Sequence, residues 1–178
     1  MSLESLLAFL DPPTSPWEVP TKADWRAAEG DLGRLPRDYK AFLDLFGTGA
    51  IDNFLWVLNP ASRNPYLNLN AEMRRMLGAL SELRSSGEPC PYPLHPEPNG
   101  LMAFAKTENG DGLYWLTVGA PECWPVIVNA ARDPTYERFD CDMTGFLEDI
   151  LARRIRCTVF PEAFPTEPPA FTVRASKK

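Results

Sequence analysis

The sequence predicts an α+β domain in which helices pack around an antiparallel-dominated sheet, and three observations carry that prediction. Apolar residues recur at helical spacing over 35–46, 69–84 and 143–151. Between the last two of these lie short aromatic and β-branched runs separated by turn chemistry, the pattern of a strand meander. The chain has 178 residues, 44% of them apolar and 11% aromatic, which suits one domain with a substantial core. All of 1–178 is therefore read as one domain, with its core over about 21–161 and a proline-rich tail over 162–178.

The elements follow in order. Residues 3–10 can form a short helix that Asp11-Pro12-Pro13 stops, because proline lacks an amide donor and restricts the residue before it. A proline-rich connector leads to Thr21, which caps a helix through Asp24 to Glu29 in a Thr-x-x-Asp arrangement, with Gly30 and Gly33 ending it. In LPRDYKAFLDLFGTG, Pro36 suits a helix start and Asp38 complements the positive end of the dipole. Leu35, Tyr39, Phe42, Leu43 and Phe46 share one face of that helix, and Gly47-Thr48-Gly49 turns the chain at its end. The run 51–58, IDNFLWVL, then reads as one buried strand ending at Asn59-Pro60.

A long helix spans 69–84, where Leu69, Met73, Met76, Leu77, Leu80 and Leu83 form the apolar stripe. The segment EPCPYPLHPEPNG has five prolines and must be an irregular connection. LMAFAKT and LYWLTV flank Glu108-Asn109-Gly110-Asp111-Gly112 as a hairpin. Strands follow at 124–129 and 135–139, and a helix on Met143, Phe146, Leu147, Ile150 and Leu151 closes the fold. The tail after it is expected to run over the surface and to fray at its end.

Charge excludes some partners. With 18 basic against 24 acidic residues the net charge is −6, the wrong sign for a nucleic-acid backbone. The N-terminal MSLESLLAFLDPP lacks a basic region and its apolar run breaks at Asp11, so it reads as neither a signal peptide nor a spanning helix. Cys90, Cys123, Cys141 and Cys157 form no CxxC pair; two disulfides are arithmetically possible, but reduced thiols in a cytoplasm are the better reading.

No residue pattern announces catalysis. The only histidine, His95, sits among prolines without a nucleophile motif beside it. The acidic ENGDG turn does not match a calcium loop, and its residues are those that left-handed turn conformations favour. Gly47 and Gly49 follow a helix instead of opening one, so they are not a phosphate loop. Neither a metal nor a cofactor is expected. Trp56, Trp115 and Trp124 fall in or beside strands as core residues, each with an N–H that needs a partner if buried; Trp124, at a strand start beside Pro125, is the better interface candidate.

Taken together, LPRDYKAFLDLFGTGAIDNFLWVLNP, GLMAFAKTENGDGLYWLTVG, PECWPVIVNA and MTGFLEDILARRIRCTVFP resemble the SUKH superfamily, and more narrowly its SMI/KNR-type members. The residues that match are Leu35, Pro36, Tyr39, Gly47, Gly49, Asn109, Gly110, Asp111 and Trp115. Ala105-Lys106 departs from the pattern, where similar chains often have a small glycine-containing bend after an aromatic, and leaves a local bulge open. The resemblance implies a central sheet with helices around it, no enzymatic activity, and a role in binding proteins. The superfamily includes bacterial immunity proteins that neutralise toxins, often nucleases, and fungal regulators of cell-wall synthesis. The expectation is therefore a cytoplasmic, non-catalytic protein-binding domain, either an immunity protein or a regulatory adaptor. Glu108, Asn109, Asp111, Glu122, Trp124, Glu137 and Asp140 are its candidate partner contacts, the acidic ones complementing a basic partner face.

Overall fold

The computed structural model describes residues 3–174, and over them the chain forms five α-helices and seven strands. Strands β1 (Gly49–Ile51), β2 (Leu55–Val57), β3 (Leu101–Thr107), β4 (Gly112–Leu116), β5 (Val126–Asn129), β6 (Tyr136–Phe139) and β7 (Phe171–Val173) make one sheet in the order β6-β5-β4-β3-β2-β1-β7. Every strand pairing among the described residues is antiparallel. The first six strands follow one another across the sheet, and β7 returns to lie beside β1. The fold class is α+β, as the periodicities predict.

Three helices pack together on one face: α1 (Leu3–Leu6), α3 (Arg37–Phe46) and α5 (Met143–Leu151). The apolar face of α3 is fully enclosed, with Tyr39, Phe42, Leu43 and Phe46 inaccessible to solvent. Burying side chains of this size stabilises the fold by roughly 1.5–3 kcal/mol each. Tyr39 also fixes the register of the helix on the sheet: its hydroxyl donates to the Leu58 carbonyl at 2.6 Å and its ring stands edge-on to Trp115 at 5.0 Å. Trp115 is stacked on Phe104 at 4.8 Å, and its Nε1 is the one strand indole nitrogen without a hydrogen-bond partner, because aromatic carbon surrounds it. At Gly47 the backbone has φ 63°, and a Cβ there would stand 2.2 Å from the Trp17 carbonyl oxygen, so only glycine fits.

The other face is covered by α4 (Leu69–Ser85) and the proline-rich segment after it, where Tyr92 meets Tyr136 of β6 at 5.9 Å. Helix α2 (Lys22–Leu32) opens with the expected capping box between Thr21 and Asp24. Asn59, fully buried at the end of β2, knits the sheet to its surroundings: its amide donates to the Glu18 carbonyl and to Thr48 Oγ1, both at 2.9 Å, and its Oδ1 accepts from Ala61 N at 2.8 Å.

The structure corrects several expectations. The run IDNFLWVL is not one strand but the end of β1, a turn and β2: Asp52 and Asn53 take left-handed φ of 52° and 51°, which short polar side chains tolerate, and reverse the chain between β1 and β2. Gly30 does not end α2, which runs through it to Leu32 and stops at Gly33, where φ is 79°. The register shift between Ala103 and Ala105 places a bulge in β3 without a glycine. The tail does not merely run over the surface. The Asp52 carboxylate accepts from Thr166 N, Thr166 Oγ1 and Ala170 N at 2.7–2.8 Å, so the following residues enter the sheet as β7, and Phe171 packs 5.0 Å from Phe46. The fraying expected at its end falls on 175–178, outside the described residues. All four cysteines are free thiols.

Asp38 does more than complement its own helix. Its Oδ2 accepts from Thr144 N at 3.0 Å, capping α5 from α3. Burial, and then the neighbouring Asp142 carboxyl, outweigh that hydrogen bond and raise the Asp38 carboxyl above its usual 3.8. A carboxyl raised on folding stabilises fully below its unfolded value, and its contribution declines as pH rises through the folded value. Asp38→Asn keeps an acceptor for Thr144 without the charge. The variant is expected to be more stable than the parent in urea unfolding at pH 7, with the difference closing as pH falls toward 3.8.

Candidate functional site

The second face of the sheet is only partly roofed, and the uncovered part is a groove. One cavity, about 550 Å³, lies between α4 and the face of β2, β3 and β4, with Trp56, Tyr66, Lys106 and Tyr114 among its walls. A second cavity of about 760 Å³ continues along β1 and β7 past Thr48, Asn53 and Thr172. Trp56, Asn64, Leu67, Glu108 and Arg174 line both, so the two form one trough open to solvent.

A buried carboxylate organises the cavity beneath α4. Glu72, on the first turn of α4, is 2% exposed, and its Oε1 accepts from Lys106 Nζ of β3 at 2.8 Å. Its other oxygen accepts from Arg75 Nε at 2.8 Å. A carboxylate so enclosed is tolerable only because two cations and their hydrogen bonds replace its water. Lys106 is 18% exposed and Arg75 58%, so the lysine lies in the seam while the arginine reaches the rim. Above them Tyr66, 57% exposed, lies 4.8 Å from the Arg75 guanidinium and 5.7 Å from Lys106 Nζ, both within cation–π range. At the seam of the two cavities Trp56 Nε1 donates to Glu108 Oε2 at 3.1 Å, and the Arg174 guanidinium lies 5.0 Å from the centre of the indole. Burial pushes the Tyr114 hydroxyl in the wall well above its usual range.

The structure brings one predicted contact into this groove, Glu108, and scatters the rest. Asn109 is exposed on the hairpin and lines a separate shallow hollow. Asp111 is buried, accepting from Thr107 Oγ1 at 2.6 Å and Ala131 N at 3.0 Å, so it closes the turn. Glu122 stands at the far side of the molecule, where the Arg34 guanidinium bonded to it holds its carboxyl below the usual range. Trp124 is 7% exposed, with Nε1 donating to the Gly119 carbonyl at 3.2 Å. Glu137 accepts from Thr158 N and Val159 N at 2.8 and 3.2 Å, and Asp140 pairs with Arg138 at 2.7 Å.

Sequence reasoning passed over Glu72, Lys106, Tyr66 and Arg174. The first two left a signal: Glu72 interrupts the apolar stripe of α4, and Lys106 interrupts the apolar run LMAFAKT. Opposite charges placed singly inside two facing apolar patterns are a pair in waiting. Tyr66 and Arg174 carry no such mark, because both stand in irregular sequence.

The thiols lie elsewhere. None of the four cysteines lines the groove. Burial, then nearby carboxylates, push Cys141 up to about 11, and Cys157 is likewise pushed up to about 12. His95 is lowered by burial. Among the described residues no group of three or more His, Cys, Asp or Glu is placed to hold a metal, and no helix is long and apolar enough to cross a membrane.

No family model matches the chain, and no solved structure matches it. The chain is similar to a thiosulfate sulfurtransferase of Pseudomonas aeruginosa, with 28% identity over 114 residues, covering 57% of this chain and 42% of that protein. The chain thus spans less than half the length of that relative.

The Glu72–Lys106 pair generates a stability prediction. Lys106→Met leaves Glu72 buried with Arg75 alone and is expected to destabilise by about 3 kcal/mol in urea unfolding. Exchanging both, Glu72→Met with Lys106→Met, is expected to recover most of that loss, since no buried charge then remains unpaired.

Proposed function

We propose that the chain is a non-catalytic protein-binding domain of the cytoplasm, an immunity-type protein that holds and neutralises a partner toxin domain. The observation that carries this reading is the groove itself. It is open, it is walled by aromatic side chains with charged groups already fixed in place, and Tyr66 stands exposed at its mouth as interface anchors do. Its carboxylates are engaged by Lys106, Arg75 and the Trp56 indole, an arrangement that preorganises a contact surface and sets no base beside a nucleophile. The net charge of −6 supports the same reading at longer range, by drawing in a basic partner such as a nuclease. The resemblance of the LPRDYKAFLDLFGTG and ENGDG segments to the SUKH superfamily points the same way.

The similarity to a sulfurtransferase motivates a control. Moving sulfur through a protein thiol requires a thiolate, and Cys141 and Cys157 are both pushed toward the protonated thiol. That leaves the exposed Cys123 as the thiol to test: on the protein-binding reading the purified chain is expected to form no thiocyanate from thiosulfate and cyanide above the protein-free rate, and turnover that Cys123→Ser abolishes would replace that reading with an enzymatic one.

The direct test is co-expression with a toxin domain encoded beside the gene. Growth is expected to be rescued and a complex to form, and Tyr66→Ala is expected to weaken that complex at least about tenfold in calorimetry. A neighbouring toxin that the chain neither binds nor neutralises would leave the adaptor reading, in which the same groove holds a regulatory protein.

A further inference from the structure

The charges in the groove do not mirror those of the chain. The cavity beneath α4 sets Arg75, Lys106 and Arg174 against Glu72 and Glu108, a local net charge of +1, and Glu18 in the second cavity brings the whole trough to neutral in a protein of −6. Two of its cations are spoken for, since Glu72 engages both Lys106 and Arg75. Arg174 is not: it has no ion pair among the described residues, it is exposed, and it lines both cavities where they meet. Its guanidinium rests on the Trp56 ring, a contact that restrains the group and leaves its in-plane N–H donors for a planar oxyanion.

We infer that this groove seats an acidic segment of the partner protein in which one carboxylate neighbours an aromatic residue, the carboxylate pairing with Arg174 and the ring packing against Tyr66. The inference rests on the reading of the groove as a protein-binding site and names what enters it. Two features select this occupant. The two cavities run together as an open trough, which suits an extended segment better than a small molecule that needs enclosing walls. Glu108 and Glu18 also line the cavity beyond Arg174, so a run of several carboxylates is repelled and a single one is accepted. The basic partner face that the overall charge attracts and the acidic segment that the groove holds are thus different parts of one partner: the first speeds encounter, the second fixes orientation.

The test uses the full chain and three capped dipeptides, the near-isosteric acetyl-Asp-Phe-amide and acetyl-Asn-Phe-amide and the cationic acetyl-Lys-Phe-amide, titrated to millimolar concentration and followed by amide and indole chemical shifts. The Asp peptide is expected to shift the Trp56 indole resonance saturably, about fivefold more tightly than the Asn peptide, with the Lys peptide weakest. Arg174→Gln, on an exposed position that does not disturb the core, is expected to erase the difference between Asp and Asn peptides. Equal binding of Asp and Lys peptides, shifts centred away from Trp56, or an unchanged Asp preference in Arg174→Gln would overturn the inference. The two readings fail separately. A partner toxin that binds parent and Arg174→Gln equally sinks the inference and keeps the immunity role, whereas a seated Asp peptide with no toxin bound keeps the site and sinks the role.

Discussion

The contact on which the site depends is the ion pair between Glu72 and Lys106. Helix α4 could meet the sheet through leucine and methionine alone, but apolar contacts slide, and a helix free to slide would not hold one wall of a cavity in place. A carboxylate 2% exposed cannot slide, because any movement that parts it from the lysine exposes an unpaired charge to an apolar seam. The helix is therefore locked at the height where Arg75 reaches the rim and lies over Tyr66. In this fold the hydrophobic effect supplies adhesion and one buried charge pair supplies position.

That division explains which parts of the structure can be read from the sequence. Adhesion leaves periodic marks, so α3, α4, α5 and strands β3 to β6 lie close to where apolar spacing puts them. Turn chemistry is legible where a familiar pair announces it, as Asn109-Gly110 does. It is missed where strand-forming neighbours mask it, as Phe54, Leu55 and Trp56 mask Asp52-Asn53. The β7 pairing could not be found by any local rule, since it joins Gly49 to Val173 and depends on an aspartate that grips the tail from the far end of the chain. The groove was hidden for the same reason: its walls come from β2, β3, α4, the loop carrying Tyr66 and the end of β7.

The acidic residues teach a related lesson. Their sum is a property of composition, but their availability is a property of hydrogen bonding. Asp111 accepts from a backbone amide and from the Thr107 hydroxyl, and one oxygen of Glu137 takes two backbone amides, while Glu122 and Asp140 pair with arginines. What remains is a diffuse negative field around a groove whose cavity beneath α4 carries the opposite sign, so the long-range field and the local charge of the groove are set by different residues.

The place of β7 has a consequence for the groove. The guanidinium at residue 174 reaches the Trp56 ring only because β7 has paired with β1, a pairing that joins residues 49–51 to residues 171–173. Until that pairing forms the trough lacks one side, even when β1 to β6 are in place. The groove is thus completed by the longest-range strand pairing in the sheet, so its integrity follows that one pairing.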